Sequence, residues 1–333
     1  MKATPLLRLA LSVALVLGLV FCFPAGTARS QSGDFPNRPI RMLVGFGAGG
    51  GTDIVARIVA QKMAEGLGQS VVVENRTGAS GLIAAEDVAK SPPDGYLLMM
   101  GSQTTLAVAP MLYHNTVMLD PLKQFAGVTL TGASPLALVA NPSFAAHSVA
   151  DVIAMAKANP GKINFGTGGV GTTPHMTAEL FQHDAGIRMV HVAYRGEAPA
   201  INDAVAGQIP LMFANLSAVI GHIKGGTLRA IAVTSAQRSP NAPDVPTVAE
   251  TLPGFAAETW FGIVAPAGTP RDVLMKLNGA ARKALVSADT KQRLDELGMS
   301  NGSSTPEEFD AYIKSEIAKW SQVIKDANIQ PAD

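Results

Sequence analysis

Apolar runs of strand length alternate along the chain with stretches whose apolar residues recur every third or fourth position. Ile40 to Phe46 is an apolar run ending among glycines, and it predicts a buried strand. Thr52 to Leu67 follows, with Ile54, Val55, Ile58, Val59 and Met63 on one helical face. Val71 to Val73 predicts a second strand, Gly81 to Lys90 a helix, and Tyr96 to Met100 a third strand. Alternation of this kind predicts a parallel sheet covered by helices.

The pattern restarts near Val128. Strands are expected near Leu136 to Ala140, then at Ile163 to Gly166, Met189 to Val192, Ile209 to Phe213 and Leu228 to Val233. A helix is expected from Ala150 to Asn159, with Ser148 and Asp151 spaced as a capping box. Ser239 to Pro253 carries Pro240, Pro243, Pro246 and Pro253 and reads as an extended connection. Trp260 to Ala265 is a further strand. Thr269-Pro270 and Thr305-Pro306 each set a capping hydroxyl before a proline at a helix start, and Glu308 completes a box with Thr305.

Composition narrows the class. A length of 333 residues favours two domains over one core, and 47% hydrophobic residues can bury them. Lys and Arg together number 26, as do Asp and Glu, so no basic excess exists for nucleic acid to grip. The N-terminus reads as an export signal. Lys2 and Arg8 precede the apolar stretch Leu9 to Phe23, and Ala25-Gly26-Thr27-Ala28 offers small residues for cleavage after Ala28. The stretch is short for a membrane span. Cys22 is the only cysteine, and bulky Phe21 before it argues against lipid attachment. Residues 1–28 are therefore expected to be a signal peptide, and the protein periplasmic.

The segment Gly45-Phe46-Gly47-Ala48-Gly49-Gly50-Gly51-Thr52-Asp53 joins the first strand to the first helix. Glycines there let backbone N–H groups approach an anion, and the helix N-terminus favours negative charge. Three readings compete. The loop could bind an anionic or polar ligand. It could be a plain turn capped by Thr52 or Asp53. It could also be a dinucleotide loop, since Gly45, Gly47 and Gly50 match G-x-G-x-x-G and Glu74 ends the next strand. A second loop, Gly166-Thr167-Gly168-Gly169-Val170-Gly171-Thr172-Thr173-Pro174-His175, also follows a strand and opens a helix. Two such loops predict a ligand held at both ends. Ser102-Gln103-Thr104, Tyr194-Arg195 and Asn215 follow other strands, at the carboxyl ends where open sheets bind ligands.

No G-x-S-x-G elbow, P-loop lysine or H-E-x-x-H motif occurs, and the six histidines have no metal-ligand spacing. No catalytic residue, metal or cofactor is expected.

The chain resembles the extracytoplasmic receptors of tripartite tricarboxylate transporters, the Bug or TctC type. The resemblance rests on Pro36-Asn37-Arg38-Pro39-Ile40, Gly49 to Asp53 with Ala56-Arg57, Val73-Glu74-Asn75-Arg76, and Pro93-Asp94-Gly95-Tyr96. It continues through Tyr194-Arg195-Gly196, Leu228 to Thr234, Pro243-Asp244-Val245-Pro246-Thr247, Trp260-Phe261-Gly262 and Ala265 to Pro270. The family implies an α/β fold of the type II periplasmic-binding-protein class, a Venus flytrap of two α/β domains joined by crossing strands. Residues 35–131 with 256–333 would form domain 1, and residues 132–255 domain 2. It implies a monomer that holds a small carboxylate and delivers it to a tripartite tricarboxylate-type membrane permease. The matching site residues are Phe46, Ala48, Gly49, Gly50, Thr52, Asp53, Ser102, Gln103, Thr104, Thr167, Gly168, Gly171, Thr172, His175, Tyr194, Arg195 and Asn215. Arg195 stands where lysine is common and Ala214 where aspartate is common, and the missing acid at Ala214 weighs against amino-bearing ligands such as acidic amino acids. The alternatives are a nucleotide-dependent oxidoreductase using the Gly45 loop and a sensing subunit for a signalling partner.

Overall fold

The computed structural model describes residues 35–326 and Ile329, so the expected signal peptide lies outside the described residues. The described residues from Pro36 onward form one compact unit. Strand β1 (Ile40–Val44) leads into helix α1 (Gly51–Leu67), β2 (Val71–Asn75), α2 (Leu82–Ala89) and β3 (Leu97–Ser102). Two short helices, α3 (Ala109–Leu112) and α4 (Pro121–Gln124), precede the long strand β4 (Phe125–Ala140). There follow α5 (Val149–Ala158), β5 (Asn164–Thr167), α6 (Thr173–Ala185), β6 (Val190–Ala193) and α7 (Glu197–Val205). Next come β7 (Leu211–Asn215), α8 (Leu216–Lys224), β8 (Arg229–Val233) and β9 (Glu258–Pro266). The chain closes with α9 (Arg271–Val286), α10 (Ala288–Glu296), β10 (Ser300–Asn301) and α11 (Pro306–Asp326).

Among the described residues the sheet runs β2-β1-β3-β9-β4-β7-β5-β6, with β8 and β10 also paired to β4. It is mixed, which corrects the expectation of a parallel sheet. β1 pairs β2 and β3 in parallel, and β5 pairs β6 and β7 in parallel. β9 and β4, however, run antiparallel to their neighbours. β4 is also three times the length expected for a strand at Leu136 to Ala140. Its first part, rich in small and hydroxyl residues, lacks an apolar alternation, and Pro135 reads as a break. The strand survives because it changes partners there. Phe125 to Pro135 pairs β9, whereas Leu136 to Ala140 lies between β7 and β8.

Side-chain alternation then separates the layers. Leu136, Leu138, Leu211 and Phe213 bury one face of the second half-sheet with Val152, Phe165 and Phe181. Ala137, Val139, Met212 and Ala214 bury the other with Ile201, Leu216 and Val219. The first half-sheet packs Leu43, Met99 and Val264 with Leu82, Phe309 and Trp320. The two lobes therefore have separate cores. Met176 of α6 is the exception, since it packs into the core of the first lobe.

Capping follows the expectations in part. Ser148 and Asp151 form the expected box, and Thr305 and Glu308 exchange theirs. Thr269 does not cap. Its hydroxyl donates to the Pro266 carbonyl, Pro270 is the N-cap, and α9 starts one residue late. The proline-rich connection contains one 3₁₀ turn, Val248–Glu250, boxed by Thr247. Neither Thr52 nor Asp53 caps α1; its N-cap is Gly50.

Thr234 ties the region where β4 changes partners. Its buried hydroxyl accepts from Leu136 N–H at 2.8 Å and donates to the Ala257 carbonyl at 2.6 Å. Thr234→Val should preserve shape but leave the Leu136 N–H unpaired, at a cost of about 1–3 kcal/mol. Urea unfolding of both proteins checks this, and equal midpoints would show that the contact contributes nothing.

Candidate functional site

Several strand ends are brought to one place by the register of β4. β7 ends at Asn215, which pairs Leu136, and Thr259, the second residue of β9, pairs Ser134. β3 ends at Ser102 opposite Phe261 of β9. The loops after β1, β3, β5 and β6 converge on the same point. They enclose a cavity of about 20 Å³, room for little more than one water molecule. Its walls are Phe46, Gly50, Gly51 and Thr52 after β1, and Ser102 and Thr104 after β3. Gly168, Thr172 and Pro174 come from the β5 loop, joined by Glu197, Asn215 and Thr259. None of these residues is Lys, Arg or His.

Glu197 organises the floor. Gly196, at φ +118°, turns the chain after β6 so that Glu197 becomes the first residue of α7. Its carboxylate accepts from Gly51 N–H at 2.9 Å, from Asn215 N–H at 2.7 Å and from Asn215 Nδ2 at 2.8 Å. Gly51 opens α1 and Asn215 caps α8, so one buried carboxylate serves the positive ends of three helices. This supplies the α1 cap that no neighbouring side chain makes. The space at Gly51 is tight, since a Cβ there would lie 3.0 Å from Ser217 Oγ and 3.1 Å from Asn215 Cβ and those side chains would have to give way.

The two lobes also meet through hydroxyls. Thr173 N–H donates to Thr104 Oγ1 at 2.8 Å, and the two threonine hydroxyls are 2.9 Å apart. Thr172 caps α6, accepting from His175 N–H and donating to the Gly169 carbonyl. Tyr113 Oη and Ser80 Oγ both donate to the Val170 carbonyl.

Of the expected residues, the structure brings Phe46, Gly50, Thr52, Ser102, Thr104, Gly168, Thr172 and Asn215 to the cavity. Nine others stand outside it. Ala48 and Gly49 are at the exposed loop tip. Asp53 is buried and fully engaged by Gly49 N–H, Arg57 and Asn75. Burial pushes its pKa up, but those bonds outweigh it and hold the carboxyl below its ordinary range. Gln103, in the amide orientation that satisfies both ends, bonds the Glu258 carbonyl and Trp320 Nε1. Thr167 braces its own loop and His191, and Gly171 N–H donates to His175 Nδ1. Tyr194 gives its hydroxyl to Asp203, and Arg195 is exposed on an outer groove that also includes Phe46 and Gly168. Burial, then Asp203, pushes the Tyr194 hydroxyl up to about 12.

Four lining residues were not expected. Gly51 and Pro174 lie within the glycine loops already singled out. Thr259 arrives on an antiparallel strand from the far end of the chain and has no local signal. Glu197 follows Tyr194-Arg195-Gly196, but an acid at a helix start reads as ordinary dipole compensation. A carboxylate thus reaches the cavity from α7, although position 214 is alanine. The dinucleotide reading loses its acid, because Glu74 is forked to Arg41 at 2.7 Å through both oxygens.

The two lobes, the curled sheet and the cleft at its crossing define a type II periplasmic-binding-protein fold, a solute-binding architecture. Residues 55–329 match the tripartite tricarboxylate transporter family receptor, and the chain belongs to that family. The protein called BugT of Bordetella pertussis is 36% identical over 309 residues, 92% of this chain and 95% of that one. A solved structure described as a periplasmic transporter superposes with a TM-score of 0.86 at 39% identity, covering 89% of this chain and 99% of that one. An R. palustris protein solved with adipate gives 0.87 at 36%, covering 90% and 100%. The chain is accordingly a periplasmic solute-binding receptor, not an enzyme.

Two histidines behind the β5 loop yield a pH prediction. His175 and His191 stack at 4.1 Å, and Phe165 lies against His191. Burial, reinforced by His191, pushes His175 down to about 3, and burial takes His191 down to about 4. The unfolded chain protonates near 6.5, so the stability held above that value is lost as pH falls toward 4. His191→Gln, which can still bond Thr167, should flatten the decline between about pH 6.5 and 5. Urea midpoints across that range check it, and parallel curves for both proteins would contradict it.

Proposed function

We propose that this receptor captures a small organic acid in the cavity at the middle of β4 and delivers it to a tripartite tricarboxylate-type membrane permease. One observation carries the reading. Helix N-termini and the hydroxyl-bearing residues Thr52, Ser102, Thr104 and Thr259 surround the cavity, whose walls contain no basic side chain. Such a site favours an anion through dipoles and neutral donors instead of a counter-ion. The relative solved with adipate agrees with a carboxylate ligand.

Residues 35–131 with 256–333 are one domain in this reading, and residues 132–255 the other. The partner change at Pro135 and Leu136, with Glu258 beside Pro135, supports a hinge there. A cavity of about 20 Å³ is too tight for a solute to enter directly, so the lobes must part and then close. Ligand binds the closed form better, shifting the population toward the shape a permease would recognise. The receptor acts as a monomer in the periplasm after removal of residues 1–28.

Calorimetry and thermal shift over aliphatic and aromatic carboxylates test this. A true ligand at 100 times its Kd stabilises by about 2.7 kcal/mol. Ser102→Ala should weaken its binding by about 0.5–1.5 kcal/mol while leaving the ligand-free melting temperature nearly unchanged. No response to any carboxylate would end the proposal.

A further inference from the structure

Resting on the receptor reading above, we propose that Glu197 and Asn215 make one end of the cavity a seat for an N–H donor. The preferred ligand then pairs a single carboxylate with an ammonium or primary carboxamide group, in place of a second carboxylate.

The argument begins with the charge already present. Glu197 takes the Gly51 and Asn215 backbone N–H groups, which open α1 and α8. Those two helix ends are thereby occupied by the protein's own anion. A ligand carboxylate brought to the same end would face a buried like charge, with no basic residue among the lining side chains to offset it.

Unused hydrogen-bonding capacity points the same way. Asn215 Oδ1 is buried and has no partner. Its amide cannot simply turn over, because Nδ2 is committed to Glu197 Oε1 at 2.8 Å. Glu197 Oε2 accepts one bond, from Gly51, and keeps capacity for another. Two acceptors on neighbouring lining residues therefore remain to be served, and a group with two N–H donors serves both. A carboxylate offers none. At the other end, Ser102 and Thr104 provide the hydroxyls for the ligand's one carboxylate.

Matched ligands isolate the effect. Calorimetry would compare succinate, succinamate and 4-aminobutanoate, then the corresponding five- and six-carbon sets, on the full mature protein. At the chain length that fits, the amide or amino acid should bind at least about tenfold more tightly than the diacid. Glu197→Gln keeps the shape and removes the charge, and should shrink that preference about tenfold or reverse it, whereas Ser102→Ala should weaken all three alike. Asn215→Ser is the second variant, which removes the amide oxygen and should also shrink the preference. A diacid that binds wild type as tightly as its partners, with the ranking unchanged in Glu197→Gln, overturns the inference and leaves the receptor reading intact. If these and all other carboxylates fail to bind, the receptor reading fails, and this inference with it.

Discussion

A single strand must serve two half-sheets, and the rest of the molecule follows from how β4 does so. Within its sixteen residues it leaves β9 for β7 and β8. Pro135 stands at the exchange, where a missing backbone donor costs least because the ladder is changing hands. Buried Thr234 bonds Leu136 and Ala257 at the same place. A connection limited to these few segments separates two well-packed cores while keeping them in register.

That exchange also decides where chemistry can occur. Parallel strands on either side of β4 run with their carboxyl ends toward its middle, so the helices that follow present their N-termini there. Buried helix ends need acceptors. The protein supplies one for α1 and α8 with Glu197, and braces α6 with Thr104 and Thr172. No histidine lines the cavity. His175 and His191 are half-buried behind the loop and held neutral at ordinary pH, so they support the loop by packing rather than by charge.

The loops show how a short motif can be informative without being the contact surface. Gly49 to Asp53 marks the α1 entrance, yet Asp53 points its bonds back to Gly49, Arg57 and Asn75. Its work is to hold the loop that exposes Gly50, Gly51 and Thr52. Thr167 and His175 do the same for the second loop. Asp53, Thr167 and His175 therefore shape the frame of the cavity, behind its walls.

By itself the sequence determined the alternation of strands and helices, most helix starts, the two glycine loops and the membership of a receptor family. These are local properties, set by periodicity, capping spacing and backbone freedom within a few residues. The structure alone decided the mixed sheet, the full length of β4, and the entry of Thr259 and Glu197 into the cavity. Those depend on contacts between residues far apart in the chain, such as Gly51 with Glu197 and Leu136 with Thr234. A glutamate at a helix start has one meaning on a solvent-exposed helix. Buried between the N-termini of two other helices, the same residue becomes the carboxylate in the cavity wall, and only the packing of the lobes makes that difference.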